Sequence, residues 1–209
     1  MTRTEIASFQ RILRRWYVKN RRDLPWRNTT DPYAIWVSEV MLQQTQVNTV
    51  LSYYNSFLKR FPTVRDLAGA DLQEVLKSWE GMGYYGRARN FHKAAEIVTQ
   101  QHKGIIPDRW EDFRGLPGVG DYIAAAVLSM AFQQPYPVMD GNVKRVLSRL
   151  LLLEDPANQS LSANKFREAA AQFLDRRPGQ KPKKQCLLLL DVPYIFIVYD
   201  DILIPIVFI

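Results

Sequence analysis

A chain of 209 residues with 47% hydrophobic and 12% aromatic content can form one or two lobes with a real core and is not a disordered segment. The net charge of +7 suits an anionic partner such as nucleic acid, although a solvated basic surface gives the same balance. One cysteine, Cys186, and two histidines exclude an internal disulfide and an all-cysteine metal site, and argue against a zinc centre. The N-terminus shows no apolar signal segment, so a cytoplasmic location is expected.

Helical patterns run from the N-terminus to Gln180. Phe9, Ile12, Leu13 and Trp16 recur at helical spacing, with arginines on the opposite side. Asp31-Pro32 is a start signal for DPYAIWVSEVMLQQTQVNTVLSYYNSFLKRF, which reads as one long helix or two. In DLQEVLKSWEGMGYYGRARNFHKAAEIVTQQHKG, Asp71 is the expected N-cap with Glu74 three residues on. Gly81 and Gly83 break that segment into two helices. PDRWEDFRG predicts a short helix, followed by a turn and the small-residue helix of LPGVGDYIAAAVL. GNVKRVLSRLLLL and LSANKFREAAAQFLDRR predict two more. No strand alternation interrupts this region, so the expected fold class is all-α.

After Gln180 the composition changes abruptly. KPKKQCLLLLDVPYIFIVYDDILIPIVFI replaces the charged helical pattern with short β-branched and aromatic runs. Asp191, Pro193, Asp200, Asp201 and Pro205 interrupt it, which argues against a transmembrane span and against a membrane partner. YIFIVY and ILIPIVFI are aggregation-prone patterns if exposed. Lys181, Lys183 and Lys184 balance Asp191, Asp200 and Asp201, so residues 1–180 carry the whole +7.

The turn Leu116, Pro117, Gly118, Val119 and Gly120 has two readings on its own residues. It is a tight corner between helices, or it leaves the first amides of the next helix open to a phosphate oxygen. Glycine-rich corners are common, and the turn alone does not decide.

Its neighbours sharpen the reading. RRDLPWR, DPYAIWVSEVMLQQTQV, WEGMGYYGRARN, GLPGVGDYIAAAVLS and MDGNVKRVLSRL follow one another between about Arg21 and Gln180. In this order they resemble the helix-hairpin-helix DNA glycosylases of the endonuclease III superfamily, most closely the A/G-specific adenine DNA glycosylase (MutY) branch. The resemblance implies two helical lobes flanking a DNA-binding cleft, within a catalytic core at residues 1–180. A six-helix lobe would span about 28–136, and the N-terminal helix with about 137–180 would form the second. It implies a monomer acting in base excision repair on double-stranded DNA with A·8-oxoguanine or A·G mispairs, in the bacterial cytoplasm at the nucleoid.

Removing a base from its sugar needs a proton for the base and negative charge beside the developing oxocarbenium ion, which two carboxylates in different environments supply. The resemblance places these on Glu39 and Asp140. Glu39 stands beside Trp36, Val40 and Met41, and burial there would hold its proton near neutrality. Outside this context Glu39 reads as an exposed helix glutamate and Asp140 as an N-cap for the helix beginning at Asn142. The endonuclease III branch carries a Schiff-base lysine where this chain has Tyr122, so the resemblance implies base removal without strand cleavage. Tyr122 and Asn142 would support the carboxylate nucleophile.

By the same resemblance, Gln44 and Thr45 wedge into the duplex and Tyr84 inserts beside 8-oxoguanine, with Met82 standing where the family often has leucine. Trp26 and Arg27 would line the adenine side, although an aromatic and arginine pair also suits ordinary packing. Leu116 to Gly120 would anchor the DNA backbone, and the Leu116 and Val119 carbonyls would hold a monovalent cation. Two other readings stay open: a catalytically impaired remnant that still binds DNA, and a mismatch glycosylase that prefers pyrimidines.

The family continues past RRPGQ with another helix and four cysteines holding a [4Fe–4S] cluster, and many members add a domain that reads 8-oxoguanine. Cys186 alone cannot supply four thiolates. The break at Lys181 predicts that residues 181–209 are translated out of frame or, as the rival reading, form a divergent apolar lid. Weaker folding and DNA affinity are the expected consequences. Sequencing the coding DNA separates the two, because an out-of-frame tail requires a recoverable cysteine motif in another frame.

Overall fold

The computed structural model describes residues 1–153, 160–174, 194–199 and 202–207. The chain divides into two compact units, Asp23–Phe132 and Met1–Arg22 with Gln133–Ile209.

In the Asp23–Phe132 unit, a 3-10 turn at Pro25–Arg27 leads to α2, Pro32–Leu42. Both carboxylate oxygens of Asp31 accept amide hydrogens, from Tyr33 and Ala34, and Pro32 opens the helix where no amide hydrogen is needed. Every residue from Tyr33 to Met41 is buried, which is the burial pattern of a central helix. The long apolar stretch is therefore two helices: the chain turns at Gln44, whose φ is +55°, before α3, Val47–Arg60.

Thr63 and Asp66 close a reciprocal capping box on α4, Val64–Gly69. Asp71 caps α5, Leu72–Ser78, by accepting the Gln73 amide, while Glu74 forms an ion pair with Arg60. Three further helices follow: α6 (Gly86–Gln101), α7 (Trp110–Arg114) and α8 (Asp121–Ala131). α2 packs on α3, α6 and α8, and α4 lies along α6. At the centre, Trp36 meets Phe91 and Phe113 edge-on at 4.8 and 5.0 Å, and Phe57 adjoins Phe61, Trp79 and Phe91.

The other unit begins with α1, Arg3–Asn20, which opens on a Thr2–Glu5 capping box. Phe9 meets Phe173 edge-on at 5.4 Å, and the Gln10 amide donates to the Phe173 carbonyl at 2.9 Å. α9, Gly141–Leu151, pairs with α10, Ser160–Gln172, around Val143, Leu147, Phe166, Ala169 and Ala170. α9 stops at Leu152, whose φ is +51°. The helical body is all-α, as its periodicity predicts.

Beyond it, two apolar runs of the tail pair as an antiparallel hairpin: β1, Tyr194–Tyr199, with Tyr194 opposite Val207, and β2, Ile202–Val207. Cys186 lies outside the described residues. Among the described residues, no helix is long and apolar enough to cross a membrane.

Candidate active site

Glu39 sits in the last turns of α2 and is only 4% exposed. Taking a carboxylate out of water disfavours the charged form, and burial pushes this carboxyl up from 4.5 to about 7. The Tyr122 phenol at the start of α8 hydrogen-bonds it and opposes part of that rise. Glu39 Oε2 is buried with no donor facing it. An acid that keeps its proton near neutrality beside an unsatisfied oxygen can hand that proton to a ligand.

The hairpin before α8 is tight. Gly118 has φ +76°, and a Cβ there would stand 2.9 Å from Asn90 Cβ, so only glycine fits. The Val119 amide donates to the Leu116 carbonyl at 3.1 Å, and both side chains are buried. Pro117 lies half-buried within the same turn. Gly120 caps α8 without a side-chain hydrogen bond, and a Cβ at Gly120 would meet nothing within 4 Å. Arg114 binds Asp121 through Nε at 2.6 Å and the Val119 carbonyl through Nη1 at 2.9 Å. A monovalent cation on the Leu116 and Val119 carbonyls would therefore stand beside a guanidinium, and these residues do not fit one well.

Asp140 belongs to the other unit and is the N-cap of α9. One carboxylate oxygen accepts the Val143 amide at 2.7 Å and the other accepts the Asn142 side-chain amide at 3.1 Å. Asn142 in turn accepts from Arg145. Capping thus coexists with a fixed negative charge at a helix N-terminus, where the helix dipole favours it.

The residues expected to read bases fall into exposed and buried sets. Gln44 is exposed and Thr45 half-buried in the turn after α2. Tyr84 is 63% exposed with φ +50°, and follows Gly81 and Gly83, both at positive φ. Met82 is buried, as is Trp26, which meets Tyr54 edge-on at 5.2 Å; Arg27 is half-buried.

Sequence reasoning passed over Arg87. Its Nη1 faces the carbonyls of Val40 at 3.1 Å, Met41 at 2.9 Å and Gln43. Its Nη2 reaches Thr45 Oγ1 and the Gly83 carbonyl, each at 3.1 Å. A local signal existed: α2 has no basic residue in its last turn and no glycine after it to satisfy its final carbonyls.

Among the described residues, no group of three or more His, Cys, Asp or Glu could hold a metal ion. The single cysteine of the chain does not fit a [4Fe–4S] cluster, which takes four thiolates.

Residues 37–172, which include Glu39, Tyr122 and Asp140, match the HhH-GPD superfamily of base excision DNA repair proteins. The chain belongs to this superfamily. An adenine DNA glycosylase of Buchnera aphidicola subsp. Acyrthosiphon pisum (strain APS) is 44% identical over 142 residues, 68% of this chain and 41% of that relative. The adenine DNA glycosylase of Homo sapiens is 42% identical over 185 residues, 84% of this chain and 34% of that relative. This HhH-GPD chain therefore spans well under half the length of those relatives. A thermostable thymine-DNA glycosylase structure superposes with a TM-score of 0.79 at 28% identity, over 90% of this chain and 85% of that one.

Proposed function

We propose that this HhH-GPD protein is a monofunctional DNA N-glycosylase that removes adenine opposite 8-oxoguanine or guanine in base excision repair. The observation that carries the reading is the buried, proton-holding carboxyl of Glu39 with the Tyr122 phenol on it, where a lyase would present an amine. The adenine specificity is supported by the names of the relatives at 42% and 44% identity.

In this mechanism the target adenine leaves the base stack. Glu39 gives its proton to the adenine ring as the bond to the sugar breaks, and the bonding pair leaves with the base. Asp140 stabilises the resulting sugar cation or bonds to its carbon, with Asn142 holding its carboxylate. Water then adds to that carbon, releasing the Asp140 carboxylate where it has bonded, and the proton of that water returns to the Glu39 carboxylate. The turn from Leu116 to Gly120 takes a backbone phosphate on the first amides of α8. Gln44, Thr45, Met82 and Tyr84 read and fill the opened duplex, and Trp26 and Arg27 serve the adenine side. The partner is double-stranded DNA, and the protein works as a monomer in the bacterial cytoplasm.

The thymine-DNA glycosylase likeness supports a second reading, removal of thymine from a T·G mispair. Single-turnover cleavage of A·8-oxoguanine and T·G duplexes, each followed by alkali, separates them, with Glu39→Gln as the control. Product from the adenine duplex alone, lost in Glu39→Gln, is the expected result. Product from T·G alone favours thymine removal, and tight binding without product favours a DNA-binding remnant. Strand nicking without alkali would contradict the role given to Tyr122.

A further inference from the structure

Arg87 is the second residue of α6, so its charge sits in the first turn of a helix, where the helix dipole opposes a cation. Its Nε is also buried without an acceptor. Both features are unfavourable, and specific contacts must offset them. The guanidinium stands 5.5 Å from the centres of the Trp79 and Tyr84 rings. It also joins the carbonyls of Val40 and Met41, one and two residues beyond Glu39 in α2, to Thr45 in one turn and Gly83 in the other.

Each of these turns holds a non-glycine residue at positive φ, Gln44 at +55° and Tyr84 at +50°. Such a conformation is unfavourable for a residue with a side chain and persists only where the surroundings over-determine it. The two strained residues are the exposed ones, and Arg87 bonds the turns that carry them. A helix cap alone would need only the carbonyls of α2.

We propose that Arg87 is a positioning residue that presets the Gln44–Thr45 turn and the Tyr84 turn, in register with the end of the Glu39 helix, for opening the duplex around its target base. This rests on the glycosylase reading above. Two turns that enter a base stack act with least cost when they are already in their working shape. A guanidinium can serve carbonyls, a hydroxyl and a ring face at once through its planar fork, whereas an ammonium cannot.

The test compares the wild-type chain with Arg87→Lys on two duplexes, adenine opposite guanine and adenine opposite an abasic site. In the second there is no partner base, and unstacking costs less. Single-turnover rates and thermal midpoints are measured for both proteins. The expected result is a fall of about ten- to a hundredfold on the A·G duplex, with a clearly smaller fall opposite the abasic site. The pH dependence of the rate should keep its wild-type midpoint, since Glu39 is untouched.

An equal fall on both duplexes, or no fall, overturns the proposal while leaving the glycosylase reading in place. No product from the wild type on either duplex overturns both. If Arg87→Lys does not fold, Arg87→Gln decides by the same comparison, because its amide keeps a donor for the α2 carbonyls without the fork that joins both turns. A rate loss that depends on the duplex supports the proposal, and a uniform loss or none overturns it.

Discussion

Tyr122 hydrogen-bonds the buried carboxyl of Glu39, so the second residue of α8 tempers a charge centre that α2 buries. Two opposed effects set that carboxyl at about 7: desolvation raises it and the phenol lowers it. For a general acid the protonated form is the active one, so the rate of base removal should fall as pH rises through that value. Tyr122→Phe removes the lowering contribution and should move the falling limb to higher pH. A pH–rate profile under single-turnover conditions checks this, and an unmoved or lowered midpoint would sink it.

The same burial has a consequence for stability. The folded-state carboxyl titrates near 7 and the ordinary value is 4.5, so the folded protein holds the extra proton between these limits. Stability therefore falls as pH rises from about 4.5 to 7, and the cost is fully present above 7. Glu39→Gln removes the titration at similar volume. It should be more stable than wild type at pH 8, by up to about 3 kcal/mol, with the difference closing below pH 4.5. Urea unfolding across this range measures it, and a variant less stable at pH 8 would contradict the argument.

Gly118 and Gly120 should respond differently to alanine. Gly118→Ala forces a side chain into positive φ and onto Asn90, and should cost about 1–2 kcal/mol. Gly120→Ala meets open space at ordinary φ and gives up only a glycine N-cap, so it should lower the thermal midpoint less than Gly118→Ala. If the amides behind Gly120 take a phosphate, that variant should still bind duplex DNA more weakly. Melting and fluorescence-anisotropy titrations separate the two effects; equal destabilisation would refute the contrast.

Asp140→Asn tests the charge apart from the cap. Asparagine caps helices about as well as aspartate, so the stability of α9 should change by a few tenths of a kcal/mol only. The rate of base removal should fall about a hundredfold or more, because the sugar cation loses its counter-charge. Unaltered cleavage by a well-folded variant would remove Asp140 from the chemistry.

Much of this molecule was legible before any coordinates, because its signals are local. Asp31, Asp71 and Asp140 satisfy amides within three residues of themselves, so each helix start is written where it occurs. The turn at Gly118 needs positive φ, and the ordered motifs carry the family membership. The sequence alone therefore determined an all-α body, the helix starts at Asp31, Asp71 and Asp140, and the superfamily.

Tertiary structure decided what depends on distant partners. Whether one long helix or two follows Pro32 was open in the pattern; α2 ends at Leu42, where Arg87, more than forty residues on, takes its last carbonyls. Glu74, expected near the Asp71 cap, pairs with Arg60 at the end of α3 instead. Glu39 would be an ordinary exposed acid on an isolated helix; the packing of α8 on α2 buries it and brings Tyr122 from 83 residues away. Caps close within a single turn of chain, but desolvation and the placement of a charge arise only when separate helices exclude water between them.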